Sequence, residues 1–68
     1  MSMYDPPNLS HEELALVIEM LQREQDELPV EIHHCRVASF REDLHNRLVM
    51  VQSLLERMHE RMHATAAL

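Results

Sequence analysis

Five residues near the end of the chain match a motif of zinc enzymes. His59, Glu60 and His63 follow the pattern H-E-x-x-H, which on a helix puts two imidazoles on one face and a glutamate beside a zinc-bound water. Catalytic zinc needs a third protein ligand. Only five residues follow His63, and they contain neither glycine nor glutamate. The match is therefore interpreted as fortuitous, and the sequence predicts no enzyme activity and no catalytic or cofactor-binding residue.

Metal binding without catalysis is the alternative role for these histidines. In a helical hairpin, His11 comes close to the level of His59, so His11, His59 and His63 could converge, with Glu12 as a possible further ligand. Three converging imidazoles can hold zinc or another divalent metal. The sequence thus leaves two interpretations open: His59 and His63 simply border an apolar stripe near a helix end, or His11, His59 and His63 form a metal site at one end of a bundle.

A second group of possible ligands, Glu31, His33, His34 and Cys35, lies between the predicted helices. Neighbouring residues on an extended segment point in opposite directions, so His33 and His34 cannot easily share one ion. Cys35 is the only cysteine, which excludes a disulfide within the chain and fits a reducing compartment. Residues 1–10 lack the basic start and apolar run of a signal peptide. A cytoplasmic location is predicted.

Composition argues against several functional classes. The chain has no glycine, so it lacks phosphate-cradling loops and dinucleotide fingerprints. It also has no lysine, which removes Schiff-base chemistry. The net charge of −6 disfavours nucleic acid as a partner and suits a basic protein. No stretch approaches the roughly 18 apolar residues of a membrane span, so no membrane contact is predicted.

Local signals predict two helices. Ser10 and Glu13 form a capping box, and Pro29 stops the helix one residue earlier, so the first helix is expected over about 11–28. A half-buried, extended connector is expected over 29–38. Ser39 and Glu42 form a second capping box, which predicts the second helix over about 39–63.

The two ends of the chain are predicted to lie outside the hairpin of residues 10–64. Residues 1–9 read as an extended N-terminal arm because of Pro6 and Pro7. This arm is either disordered or folded back through Tyr4 and Leu9. Residues 65–68 are predicted to form a frayed C-terminus.

Apolar residues recur at steps of three and four along both helices, as they do on helices that pack together. The residues predicted for this core or dimer stripe are Leu14, Val17, Ile18, Leu21, Leu44, Leu48, Val51, Leu55, Met58 and Met62. The second helix is expected to overhang the first by one or two turns, which would expose Met58 and Met62. Five further apolar residues are left over: Leu16, Met20, Val49, Met50 and Leu54.

The surplus of apolar surface predicts a partner. A chain below roughly 70–80 residues rarely builds a core worth more than about 3–5 kcal/mol by itself. The predicted fold class is all-α: a two-helix antiparallel hairpin that dimerises with itself into a four-helix bundle. A helix from another protein is the other possible cover. The expected function is a small, non-catalytic protein-interaction or regulatory module that shows its acidic first helix to a basic partner. The alternative is a divalent-metal-binding bundle.

Overall fold

The computed structural model describes residues 9–66, which form two helices packed against each other. Helix α1 spans His11–His34 and helix α2 spans Ala38–Ala66, and the described residues contain no strand. The predicted two-helix, all-helical hairpin is confirmed. Most of the predicted arm and residues 67–68 of the predicted frayed end lie outside the described residues. Helix α2 continues three residues past its predicted end at 63.

The predicted capping box begins α1. Ser10 has an extended backbone, and its Oγ accepts a hydrogen bond from the Glu13 N–H at 3.1 Å. In return, Glu13 Oε1 accepts from the Ser10 N–H at 2.9 Å. These contacts lower the pKa of Glu13 from its ordinary value because they favour the ionised carboxylate. The hydrogen bond with the Ser10 backbone has the larger effect, and the contact with the Ser10 side chain adds to it.

The predicted end of the first helix at residue 28 is corrected, because α1 runs through Pro29 to His34. Proline has no N–H to donate to the Gln25 carbonyl, and its ring crowds that carbonyl, which costs about 3 kcal/mol in a helix interior. Leu28 is only 1% exposed, and Ile32, one turn later on the same face, is half-buried. Burying an apolar side chain contributes about 1.5–3 kcal/mol. Packing on both sides of Pro29 therefore offsets the broken turn.

The connector is shorter than the predicted 29–38 and consists of Cys35, Arg36 and Val37. Cys35 caps α1 with an extended backbone, and its N–H donates to the Ile32 carbonyl at 3.2 Å. The Arg41 side chain reaches back from α2, and its Nε and Nη2 both donate to the Cys35 carbonyl. This double hydrogen bond ties the first turn of α2 to the end of α1.

Helix α2 begins earlier than the predicted capping box. The Val37 carbonyl accepts from the Arg41 N–H at 2.9 Å, and Ala38 is the first helical residue. Ser39 therefore lies inside the first turn instead of capping it. The three-residue connector leaves no room for a separate cap after Val37.

The core lies between the two helices. Its buried members are Leu14, Ile18, Leu28, Val51 and Leu55, and partly buried residues pack around them, namely Leu9, Leu21, Leu44, Leu48, Met58 and Met62. Nine of the ten predicted stripe residues thus lie in this cluster. The tenth, Val17, is half-buried beside it.

An ion pair between Glu24 and Arg47 marks the register of the hairpin. The pair joins one residue before the short connector to one residue after it, so the helices run antiparallel. Two residues on different helices therefore lie at the same height along the hairpin when their residue numbers add up to about 71, as 24 and 47 do. Leu14 is then level with about Met58. Helix α2 extends past the level of His11, where α1 begins. The predicted exposure of Met58 and Met62 is wrong, because both are half-buried against the core.

The hairpin is elongated. Its longest dimension is 46 Å, close to the roughly 44 Å expected for the 29 residues of α2. The radius of gyration is 15.0 Å, against about 11 Å for a compact chain of 68 residues. Each helix has one helical neighbour, so much of the surface of each helix stays exposed.

Candidate interaction surface

The histidines predicted as metal ligands are all exposed. His11 is level with about Glu60, while His59 and His63 lie one turn apart on α2. Within residues 9–66, no three His, Cys, Asp or Glu side chains come close enough together to hold a metal ion. One chain therefore does not assemble the site, and the metal alternative stays a prediction.

The second group of possible ligands ends up at the turn of the hairpin. His33 and His34 belong to the last turn of α1, and their rings meet edge to face with centroids 5.3 Å apart. Cys35 is half-buried, and its thiol donates to the Val37 carbonyl at 3.4 Å. A cleft of about 620 Å³ opens here, lined by Glu31, His34, Cys35, Phe40, Asp43, Leu44 and Arg47.

One side of the hairpin carries the exposed methionines Met20 and Met50. The Glu24–Arg47 pair identifies this side, and steps of three and four along each helix reach its other members. These steps lead to Val17 and Met20 on α1 and to Met50 and Leu54 on α2. Met20 and Met50 are 60% and 70% exposed. We call Val17, Met20, Leu21, Met50 and Leu54 the apolar patch.

The patch is continuous across the two helices because its residues on α1 lie at the same height along the hairpin as its residues on α2. Val17 lies level with Leu54, and Leu21 lies level with Met50, since both pairs of positions add up to 71, as 24 and 47 do. Val17, Leu21 and Leu54 are half-buried, so they form the floor of the patch. Met20 and Met50 stand above that floor.

The opposite side of the hairpin is largely polar. Steps of three and four from Ile18 and Leu55 in the other direction reach exposed residues, namely His11, Ala15, Gln22, His45, Gln52 and His59. Ala15 and, one step before Gln52, the exposed Val49 are the apolar residues on this side. Other exposed apolar side chains lie outside the patch, namely Leu16, Val30, Val37 and Phe40. The apolar patch is therefore one part of the exposed apolar surface of the described residues.

Charge divides between the helices. Helix α1 holds seven carboxylates and one arginine, Arg23, which gives a formal charge of −6. Helix α2 holds four carboxylates and four arginines, which cancel. Arg23 pairs with Glu19 at 3.7 Å on the exposed surface of α1. The border of the apolar patch is thus acidic on α1 and largely basic on α2.

Sequence reasoning missed two residues that organise this region, Arg41 and Glu24. The role of Arg41 depends on a tight connector, whereas the pattern predicted a long one. The contact between Glu24 and Arg47 crosses the two helices, so no local signal reveals it. Only the antiparallel register brings that pair together.

Comparison of the chain with protein-family models, curated proteins and solved structures gives no match. Within the described residues, neither helix combines the length and the apolarity that a bilayer-spanning segment needs.

Proposed function

We propose that this chain is a small, non-catalytic protein-interaction or regulatory module that works as a homodimeric four-helix bundle. The observation that carries the proposal is the apolar patch, which lies on one side of a hairpin that buries five apolar side chains among its described residues. A second copy offers an identical patch. Self-association of one surface by a two-fold axis is the commonest form of soluble oligomer.

The energetics support a partner on this side. Met20 and Met50 are more than half exposed, and burying a methionine fully contributes about 1.5–3 kcal/mol. A chain of this size holds only about 3–5 kcal/mol of stability from its own core. Covering the patch therefore adds an amount comparable with the stability of the isolated hairpin.

The acidic outer surface of α1 stays available in such a dimer. Glu12, Glu19 and Asp26 are exposed and lie away from the apolar patch. A dimer carries twice the net charge of −6 of one chain, which attracts a basic protein over distances near the Debye length. We propose this surface as the site for such a partner, in a cytoplasmic setting that suits the free thiol of Cys35.

Sedimentation equilibrium and native mass spectrometry test the proposal. The expected species has twice the 8.0 kDa mass of one chain and dissociates on dilution. A chain that stays at 8.0 kDa across micromolar to millimolar concentrations and still melts cooperatively would contradict it. A bound divalent ion that disappears in His59→Ala would instead favour the metal-binding alternative.

A further inference from the structure

We infer that the two copies pair with their turns at the same end, so that α1 of each copy packs against α2 of the other. This inference rests on the proposed homodimer and specifies its geometry. The occupant of the apolar patch is then a second copy in one defined orientation. The argument depends on the charges that border the patch.

Two arrangements join the apolar sides with a two-fold axis. If the axis runs along the helices, both turns lie at one end and α1 faces the partner's α2. If the axis crosses the helices at a right angle, the turns lie at opposite ends, α1 faces the partner's α1, and α2 faces the partner's α2. Both arrangements are closed four-helix bundles. They differ in which charges meet.

The facing stripes of the two helices have opposite character. On α1 the stripe consists of Glu13, Val17, Met20, Glu24, Glu27 and Glu31. On α2 it consists of Asp43, Arg47, Met50, Leu54, Arg57 and Arg61. The first stripe is acidic on both sides of its apolar pair, and the second is basic there except for Asp43 at the turn end.

With the axis along the helices, the acidic stripe of α1 lies opposite the largely basic stripe of the partner's α2. Positions that add up to about 71 then lie level between copies as they do within one hairpin. Val17 meets the partner's Leu54, and Met20 meets the partner's Met50. Glu24 comes level with the partner's Arg47 and Glu13 with the partner's Arg57, and these two opposite pairs outnumber the one like pair, Glu27 with the partner's Asp43.

The crossing axis opposes like charges. When this axis passes through the centre of the patch, a residue of α1 faces the residue of the partner's α1 for which the two residue numbers add up to about 40. Glu13 therefore faces the partner's Glu27. On α2 it brings Arg47 level with the partner's Arg57, although Asp43 comes level with the partner's Arg61. It also sets two helices of formal charge −6 side by side. Like charges across an interface are unfavourable, so this orientation is disfavoured.

Disulfide cross-linking distinguishes the two orientations. Two variants, Met20→Cys and Met50→Cys, are each made in a Cys35→Ser background, mixed in equal amounts and oxidised mildly. Because the two variants have the same mass, one of them is labelled with ¹⁵N, and mass spectrometry then distinguishes the mixed disulfide from the two disulfides between like chains. The inference expects the mixed disulfide, one chain of each kind, as the main covalent dimer. Replacing Met50→Cys by Gln52→Cys, on the polar side, is expected to remove the mixed product.

Each outcome of the cross-linking has a defined meaning. A dominant Met20→Cys disulfide between like chains, without the mixed product, indicates the crossing axis and overturns the inference alone. Native dimers that form no disulfide at all place the interface elsewhere and overturn it as well. If the parent chain gives no dimer by native mass spectrometry, the proposed function itself fails.

Discussion

Introducing a carboxylate at the centre of the apolar patch is expected to weaken the dimer strongly. In Met50→Glu, a side chain that is 70% exposed in the single hairpin and buried in the proposed bundle becomes charged. The fold of one chain should survive, because Met50 is not part of the core cluster. The loss therefore falls on association.

The magnitude follows from the exposed fraction. Full burial of a methionine contributes about 1.5–3 kcal/mol, so covering seven-tenths of Met50 contributes about 1–2 kcal/mol. The two-fold axis doubles this to about 2–4 kcal/mol, which is about a 30- to 1,000-fold increase in Kd. The buried carboxylate and its acidic neighbours on the partner's α1 add to the loss.

Sedimentation equilibrium over a dilution series measures this Kd. The matched control is Gln52→Glu, which adds the same charge two residues away on the polar side and should leave Kd within a few-fold of the parent chain. Circular dichroism checks that both variants keep their helices. Equal values of Kd for Met50→Glu and Gln52→Glu would refute the assignment of the patch as the dimer surface.

Three further predictions concern the hairpin itself, and urea unfolding measures each of them. Leu14→Ala is expected to lower the free energy of unfolding by about 2–5 kcal/mol, because Leu14 is buried in the core. The control Val49→Ala, on the exposed surface, should change the free energy of unfolding by less than about 0.5 kcal/mol. Equal effects of the two substitutions would contradict the described core. Pro29→Ala is expected to raise the free energy of unfolding by about 1–3 kcal/mol because it restores the missing hydrogen bond of α1, and a lower urea midpoint would argue against a continuous helix. Glu13→Gln is expected to destabilise the chain at neutral pH, because the ionised Glu13 side chain stabilises the folded state. The pKa of Glu13 is lowered in the folded state, so this stabilisation is present above the unfolded pKa and is lost as pH falls through the folded pKa. The difference between Glu13→Gln and the parent should therefore vanish in strong acid, and a difference that persists there would contradict this assignment.

The start of α1 and the composition of the core could be read from the residues. Ser10 and Glu13 satisfy each other through contacts three residues apart, so the signal is contained in one short segment. The apolar stripe is likewise a matter of spacing along a single helix. Both features depend on local chemistry, and local chemistry is what a sequence shows directly.

The tertiary structure decided the features that depend on contacts between the helices. Pro29 stays helical because Leu28 is buried and Ile32 is half-buried on either side of it, and that packing offsets the preference of proline to end a helix. The connector shrinks to three residues for the same reason. Met58 and Met62 are half-buried because they pack, together with Leu9, against the core between the helices.

The sequence by itself determined that two amphipathic helices form and that they carry more apolar residues than one hairpin can bury. Only the packed hairpin decided that Met20 and Met50 share one side, since the packing of the core fixes the register that the Glu24–Arg47 pair marks. Helical periodicity is a property of each segment alone. The level and the side at which two segments meet depend on the free energy of their contact, which no single segment contains.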